Sequence, residues 1–592
     1  MIFFEVMALY ERPIIILSTS PDDIPEENEP LHTLTHVCQY WREVALGNPA
    51  LWRRIHGRCS EQIEVYLARA GSRTVSLSLD VVHWGAQEEE PIPPPMASVI
   101  ERHAARLHRL DLVVIPASQN IRLLREPLQA PHLEILTITS PCMYGSYGSY
   151  VRGWKLLFDS ETSQLKALAI APIASWIPCR TSFPRLTHLF LSFGEPETGR
   201  CHPSLIPQLL SNTPVLQFLH ISFFIYDAPY SDGGQPPSDL VPLLHLRSLV
   251  FTSCSRKLIH AVISHLVLPG DVFIRLQGVL SGDNFDAHYS APLPDVVLSP
   301  VTSLDICMGQ DEILVVADGP TSGLWFEGCH GLGYTGPSGW EGWLLNLHRC
   351  LPLSHISYLH IYLNGRPAFF PTLLDQLPQL ARLAVLLGKP ALSSVDIDDL
   401  DVVWTATVTG DQGPDSADAF APLAVLCRAL SPSLTTGGAA QVRCPDLRVL
   451  TIECMDRVTL DTVAAYPGLP EMLSARASTG RPIRHVVVHV AAHPPSPDPH
   501  PHWQPEGEAD GLQPVTVTAL DMSRHCTSSV CIQDDARYEV VRRADDDADG
   551  AGAGAQGLCA FRMRDVWKVA GEDMYWELDS SHKPQYRLLW RP

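Results

Sequence analysis

Residues 331–336 (GLGYTG) have the type and spacing of a dinucleotide-binding turn. The pattern G-x-G-x-x-G brings backbone N–H groups to a pyrophosphate. Such a site needs a helix after the third glycine and an acidic residue about twenty positions further on. Here residues 337–339 (PSG) follow, and position 356 is an isoleucine. The sequence therefore favours a glycine-rich loop over a nucleotide site.

Histidines and cysteines near the C-terminus include the ligand types that zinc uses: His493, His500, His502, Cys526 and Cys531. Structural zinc sites take paired ligands from short rigid turns, and histidines alternating with prolines do not supply that geometry. Cys329 and His330 are adjacent, so their side chains should point apart on a strand. We expect no metal site.

Residues 319–323 (GPTSG) have the outline of a nucleophile elbow with threonine as the nucleophile. Their surroundings predict a simple turn. We find no phosphate loop, paired catalytic carboxylates or H-E-x-x-H helix, and expect no catalysis and no cofactor. An enzyme with its site in residues 300–440 stays open as an alternative, and convergent polar groups there would favour it.

A basic stretch precedes Leu110, and its members are Arg102, His103, Arg106, His108 and Arg109. We interpret it as the solvated face of a helix, with a docking patch for an acidic partner as the alternative. The net charge of −22 argues against binding to nucleic acid or to an anionic membrane.

The 592-residue chain is long enough for several domains or one extended array. Apolar residues make up 45% and charged residues 18%, which is typical of a folded chain. The 15 cysteines are scattered, and no secretory leader is evident, so we expect an intracellular protein, cytoplasmic or nuclear. No apolar run reaches the roughly 18 residues that a membrane span requires.

Residues 31–55 predict a helical hairpin that has too little apolar surface to stand alone. Six residues recur at helical spacing on one face: Leu34, Val37, Cys38, Trp41, Val44 and Ala45. Asn48 and Pro49 are typical of an N-cap and a first-turn proline, so a second short helix should carry Leu51, Trp52 and Ile55.

These residues resemble the F-box in the form found among fungal proteins, with the pattern V-C-x-x-W-x-x-[VL]-A…P-x-L-W. Residues 2–6 (IFFEV) resemble the first F-box helix, although its leading L-P-x-E does not precede them. In that family the helices bind a Skp-type adaptor of a cullin–RING ubiquitin ligase. The resemblance implies these adaptor-binding residues: Ile2, Phe3, Val6, Leu34, Val37, Cys38, Trp41, Leu51 and Trp52.

From about residue 100 the template L-x-x-L-x-L recurs. Its clearest copies are Leu107/Leu110/Leu112, Leu133/Leu136/Ile138, Leu165/Leu168/Ile170, Leu186/Leu189/Leu191, Leu216/Leu219/Ile221, Leu246/Leu249/Phe251, Val301/Leu304/Ile306, Ile356/Leu359/Ile361, Leu380/Leu383/Val385, Leu447/Leu450/Ile452 and Ile483/Val486/Val488. Ile274/Leu276 and Leu324/Phe326 are weaker members. Each x-L-x-L should be a strand with alternate side chains inward, and one unit cannot bury that face alone. The template resembles the irregular leucine-rich repeats of F-box proteins, and a different parallel-sheet fold is the alternative.

We therefore predict an α+β or α/β chain. Residues 1–58 form an F-box-like helical domain. Residues 59–100 form a connecting helix (residues 60–70, stopped by Gly71), a strand and a Pro-rich loop. Residues 101–492 form an irregular leucine-rich-repeat solenoid, with a helix at 420–430 inside a loop-rich insertion, and 493–512 form a linker. Residues 513–592 form a loop-rich terminal cap with a flexible loop at 544–557. Within that cap we expect strands at residues 537–541 and 575–590.

The resemblance implies a non-enzymatic substrate adaptor of a Skp–cullin–F-box ligase. Its repeats would bind a protein substrate that the sequence does not identify. The alternative is a leucine-rich-repeat scaffold whose shortened F-box does not recruit a ligase.

Overall fold

The structure is a computed structural model. It describes residues 29–57, 60–80, 94–113, 129–139, 164–171, 181–193, 205–222, 240–281, 301–308, 312–330, 344–349, 351–363, 369–387, 421–434, 440–454, 463, 466–490, 528–531, 569–572 and 574–576. Several predicted features lie outside these ranges: Ile2, Phe3 and Val6, the expected linker 493–512, the expected loop 544–557 and the expected strand 537–541.

Helices and strands alternate along these ranges. The α-helices are α1 Glu29–Val37, α2 Gln39–Gly47, α3 Ser60–Ala70, α4 Pro94–His103, α5 Leu205–Leu210, α6 Arg256–Ile263, α7 Phe370–Asp375, α8 Ala421–Leu430 and α9 Gly468–Ser478. Short 3-10 helices occur at Pro49–Trp52, Ala104–Arg106, Leu347–Arg349 and Leu353–His355.

The strands are β1 Arg54–Gly57, β2 Val75–Asp80, β3 Leu107–Val113, β4 Ile135–Thr139, β5 Ala167–Ala171, β6 His188–Ser192, β7 Phe218–Ser222, β8 Val241–Pro242, β9 Ser248–Thr252, β10 Leu266–Val267, β11 Phe273–Ser281, β12 Ser303–Met308, β13 Glu312–Asp318, β14 Gly323–His330, β15 Tyr358–Leu363, β16 Arg382–Leu387, β17 Ser433–Leu434, β18 Ala440–Gln441, β19 Val449–Cys454, β20 His485–Val490 and β21 Ser528–Cys531.

Seventeen of these strands join one large, mostly parallel sheet. From β1 to β7, and then through β9 to β11, each strand pairs in parallel with the next along the chain. The same rule holds from β15 through β16, β19 and β20 to β21. The expected mixed α/β class is confirmed at this level.

The shared register stacks the repeated apolar positions into two rows. One row runs through Leu77, Leu110, Leu136, Leu168, Leu189, Leu219, Leu249 and Ile274. The other runs through Leu79, Leu112, Ile138, Ile170, Leu191, Ile221, Phe251 and Leu276. All are buried and belong to one apolar cluster that also contains the buried side chains of the helices. We call this the inner face of the sheet, and the opposite side its outer face.

Strands β12 to β14 depart from the expected order. β11 pairs with β14, β14 is antiparallel to β13, β13 is antiparallel to β12, and β12 pairs with β15. The sequence did not predict β13, because its apolar residues follow no L-x-x-L-x-L template. The inner rows still continue, since Leu324 lies beside Ala317 and Ala317 beside Leu304. The predicted turn at residues 319–323 is confirmed as the β13–β14 connection, closed by a hydrogen bond from Gly319 N–H to the carbonyl of Ser322.

Several local predictions are confirmed and others are corrected. The helix over residues 60–70 is present and ends at Gly71, whose φ of +61° favours glycine. The expected single helix across Cys38 is wrong, because Cys38 is extended and separates α1 from α2. The strand expected to start at Tyr575 is also wrong for its first two residues, because Tyr575 lies in a bend and Trp576 in irregular structure.

None of the helices in the described ranges is both long and apolar enough to cross a bilayer.

We expect Leu219→Ala to lower the free energy of unfolding by about 2–5 kcal/mol, because it opens a cavity in the inner face. Leu244→Ala is the matched control, since Leu244 is 64% exposed and its loss should change stability by less than about 0.5 kcal/mol. Urea unfolding followed by circular dichroism measures both. Equal effects of the two substitutions would contradict the assignment of Leu219 to the core.

Candidate functional site

The residues that the sequence assigned to adaptor binding divide into two groups. Leu34, Leu51 and Trp52 are buried in the hairpin. Val37 is 56% exposed, Cys38 is exposed and Trp41 is half-buried. Ile2, Phe3 and Val6 lie outside the described residues. Within the described part, therefore, only the second group can touch a partner without unfolding the hairpin.

Trp52 fixes the hairpin to helix α3, which follows it in the chain. Its indole N–H donates to the carbonyl of Ala45 at 2.8 Å, and its ring stacks on Tyr66 of α3 with centroids 5.4 Å apart. The guanidinium of Arg69 lies 4.4 Å from the centre of the Trp52 ring, within cation–π range. Trp52 thus joins α2 to α3.

The break at Cys38 shapes the exposed apolar surface. The Cys38 thiol accepts the backbone N–H of Trp41 at 3.5 Å and caps α2. Arg42 donates to the carbonyl of Thr35 at 2.8 Å and holds the two helices together. Sequence reasoning missed Tyr40, which lies in the first turn of α2 after this break and is 69% exposed, because it treated this stretch as one helix. We call Val37, Cys38, Tyr40 and Trp41 the junction patch.

A second candidate site lies on the outer face of the sheet. Residues 569–572 and 574–576, which we call the C-terminal segment, lie against it. Trp576 is only 5% exposed and packs in a cluster with Ala167, Ala169 and Ala171 of β5. These three alanines occupy alternate positions of one strand, between Ile135 on β4 and Phe190 on β6. Small side chains between larger ones leave a trough, and the indole fills it.

Polar contacts fix the backbone of the C-terminal segment. The Nε2 atom of His188 donates to the carbonyl of Gly571 at 2.8 Å, and Nη1 of Arg109 donates to the carbonyl of Tyr575 at 3.0 Å. Arg275 forms an ion pair with Glu572. The His188 ring also stacks on Phe218, at 4.3 Å between centroids, and meets the Tyr575 ring edge-on at 4.6 Å.

The predicted basic helix face is only partly present. Arg102 lies on α4, where its exposed side chain pairs with Glu64. Arg109 instead lies on β3, where it is buried and pairs with Asp111 at 2.7 Å. Strand alternation turns Arg109 to the outer face, and this explains the error: the helix ends six residues earlier than the interpretation required.

A polar cluster lies further along the outer face. Nδ1 of His360 is 3.5 Å from Asp305, and its Nε2 is 3.9 Å from Glu453. Cys307, Tyr362 and Leu386 form an adjoining apolar cluster, and burial raises the pKa of the Tyr362 phenol. An imidazole between two carboxylates can relay a proton. It can equally link strands β12, β15 and β19 across the outer face through polar contacts.

The remaining chemical candidates of the sequence are not brought together. Residues 331–336 and His493, His500, His502 and Cys526 lie outside the described part. Cys329 and His330 are neighbours on β14. Among the described residues, no group of three or more His, Cys, Asp and Glu side chains is arranged to hold a metal ion.

No family model matches the chain, and no curated protein matches its sequence significantly.

We expect docking of the C-terminal segment to weaken as the pH falls from 7 to 5. Burial lowers the pKa of His188 to about 4, and the hydrogen bond to Gly571 opposes that shift only in part. Release should return the pKa towards its ordinary value of about 6.5. Docking therefore keeps its full stability above about pH 6.5 and loses about 2 kcal/mol by pH 5.

The pKa values of two titratable neighbours are shifted away from that window. Burial raises the pKa of the Tyr575 phenol. Burial alone would raise the pKa of the Glu134 carboxyl. The hydrogen bond and charge of Lys166 outweigh burial, so the pKa of Glu134 is lowered below its ordinary value. The 19F resonance of fluorotryptophan at Trp576, assigned by its loss in Trp576→Phe, reports release. His188→Gln can still donate a hydrogen bond but does not titrate, so its profile should be flat, and an unchanged profile would exclude His188 as the cause.

Proposed function

We propose that the chain is a non-enzymatic adaptor with two binding surfaces. The junction patch docks a Skp-type adaptor of a cullin–RING ubiquitin ligase, and the outer face of the sheet holds a protein substrate. The observation that carries this proposal is the outer face itself. Over seven strands from β3 to β11 it already holds a peptide segment through side-chain and backbone contacts.

The finer fold in this proposal is a leucine-rich-repeat solenoid. Its support is the pairing of successive strands, in chain order and in one register, on both sides of β12–β14. A stack of this kind presents one continuous strand surface, which repeat proteins use for partners. A substrate would lie across several strands there.

The adaptor role rests on the junction patch. Val37 and Tyr40 are large apolar side chains held in solvent by the cap at Cys38. An exposed apolar patch on a rigid element is typical of a protein interface. Leu34, Leu51 and Trp52 have a different role in this proposal: they hold the patch in shape.

A protein of this kind acts by proximity. Binding ligase and substrate at once raises the local concentration of substrate lysines near the ubiquitin-charged enzyme, and no bond is made or broken by this chain. The Asp305–His360–Glu453 cluster then serves to link β12, β15 and β19 through polar contacts. The alternative is a scaffold that binds partners on the outer face and recruits no ligase, and adaptor binding separates the two.

We expect the full-length chain to co-purify with a Skp-type adaptor, and Val37→Asp to weaken that binding by at least tenfold. A carboxylate in an apolar interface loses its hydration without gaining a partner. Val65→Asp is the matched control, because Val65 is also exposed but lies on α3, outside the junction patch.

Titration calorimetry of the purified chains measures the loss. Equal weakening by the two aspartates would place the interface elsewhere. Absence of binding by the unaltered chain would leave the scaffold as the better proposal.

A further inference from the structure

The C-terminal segment occupies the outer face in the way that a bound peptide would. It runs from the Arg275 side of the face, where Glu572 lies, to the alanine trough of β5, where Trp576 lies. Its direction therefore crosses the strands. It does not extend the sheet as another strand, because residues 574–576 are not in a strand.

Two buried arginines converge on this segment from distant strands. β3 and β11 are about 29 Å apart along the sheet, at about 4.8 Å for each strand step. Arg109 on β3 and Arg275 on β11 nevertheless contact Tyr575 and Glu572, which are three residues apart and span at most about 11 Å. Both side chains must lean towards the middle of the face. Asp111 holds Arg109 in place at 2.7 Å.

The contacts between the outer face and the C-terminal segment show which residues of the segment are recognised by their side chains. The carbonyls of Gly571 and Tyr575 are bound through the backbone, so they would be available in any peptide. Glu572 and Trp576 are recognised by their side chains, through Arg275 and the alanine trough. Gly571 has a φ of +96°, a backbone conformation that favours glycine over residues with a side chain. Met574 is 63% exposed and carries no such requirement.

We propose that the outer face of β3–β11 is a peptide-binding site that the C-terminal segment fills in cis. Its partner in trans is a protein segment of the same chemistry: a glycine, a carboxylate next to it, and a tyrosine–tryptophan pair three and four residues after the carboxylate. The inference deepens the proposed function, on which it rests, by naming the class of substrate segment that the outer face recognises.

Tethering makes the C-terminal segment a competitor for this site. Residues 532–568 connect it to β21 within the same chain. Linkage within one chain makes binding of the segment intramolecular, with an effective concentration on the order of 1 mM, so a peptide in trans must bind more tightly or meet a released segment. The unaltered chain should therefore bind such peptides weakly.

Binding of a synthetic peptide to the full-length chain tests the proposal. The probe is residues 568–578 (KVAGEDMYWEL) carrying fluorescein, and fluorescence anisotropy gives its dissociation constant. In the double variant Glu572→Lys/Trp576→Ala the segment loses both recognised side chains. We expect this released chain to bind the probe at least tenfold more tightly than the unaltered chain.

Variants of the probe examine the chemistry without altering the protein further. Probes with Trp576→Ala or Glu572→Lys should bind the released chain at least tenfold more weakly. The Met574→Ala probe is the matched control and should bind as the native probe does.

A substitution in the protein tests the trough itself. In the released chain, Ala169→Phe fills the trough and should abolish binding of the native probe.

Two results would overturn the proposal. One is equal affinity of the released and unaltered chains for the probe. The other is equal affinity of the released chain for the native and Trp576→Ala probes. Neither result depends on the junction patch, so loss of adaptor binding with intact probe binding would reject the ligase role alone, and the converse would reject only the peptide site.

Discussion

The register between neighbouring strands is the constraint on which the rest of this structure depends. Each strand of the large sheet from β2 to β7, and likewise β9 and β11, carries two inward apolar side chains, and one strand alone leaves them in water. Pairing places them beside the same two positions of the next strand, as in Leu136, Leu168 and Leu189. A slip of one residue would turn the whole apolar set to the outer face, because side chains alternate along a strand. The register of each strand therefore depends on the register of its neighbours.

The same alternation frees the outer face for recognition. Positions between the inward residues face away from the core, so they need not be large or apolar. At β5 they are alanines, at β6 His188 and Phe190, and at β11 Arg275. The reversed strand β13 respects this division, since its Ala317 still lies between the inward residues Leu304 of β12 and Leu324 of β14. Inward residues hold the fold, and outward residues are left to form a site.

Local sequence predicted the elements whose signals are local. The x-L-x-L strands, the helix that stops at Gly71, and the helix over residues 421–430 each carry their own periodicity or cap. It did not predict the break at Cys38, because the helical spacing of apolar residues continues across it. It also did not place Arg109 on the outer face, since its partners, Asp111 and Tyr575, are set by strand direction and by a contact 466 residues away. The sequence of β5, ALAIA, places alanines at alternate positions, which is a visible signal of a trough. The sequence does not show that Trp576, about 400 residues further along the chain, fills it.

The buried arginines explain why a resident segment would be useful to a recognition surface. Removing a carboxylate from a buried guanidinium is costly, of the order of several kcal/mol, because the lost attraction is not replaced by full hydration. Glu572 supplies that carboxylate to Arg275 whenever no partner does. The alanine trough is apolar surface that would otherwise be exposed to water, and Trp576 covers it. A tethered segment with these two side chains thus protects the face, and it requires that any replacement carry an acid and an aromatic ring at the same separation. Protection and selectivity are then two consequences of the same contacts.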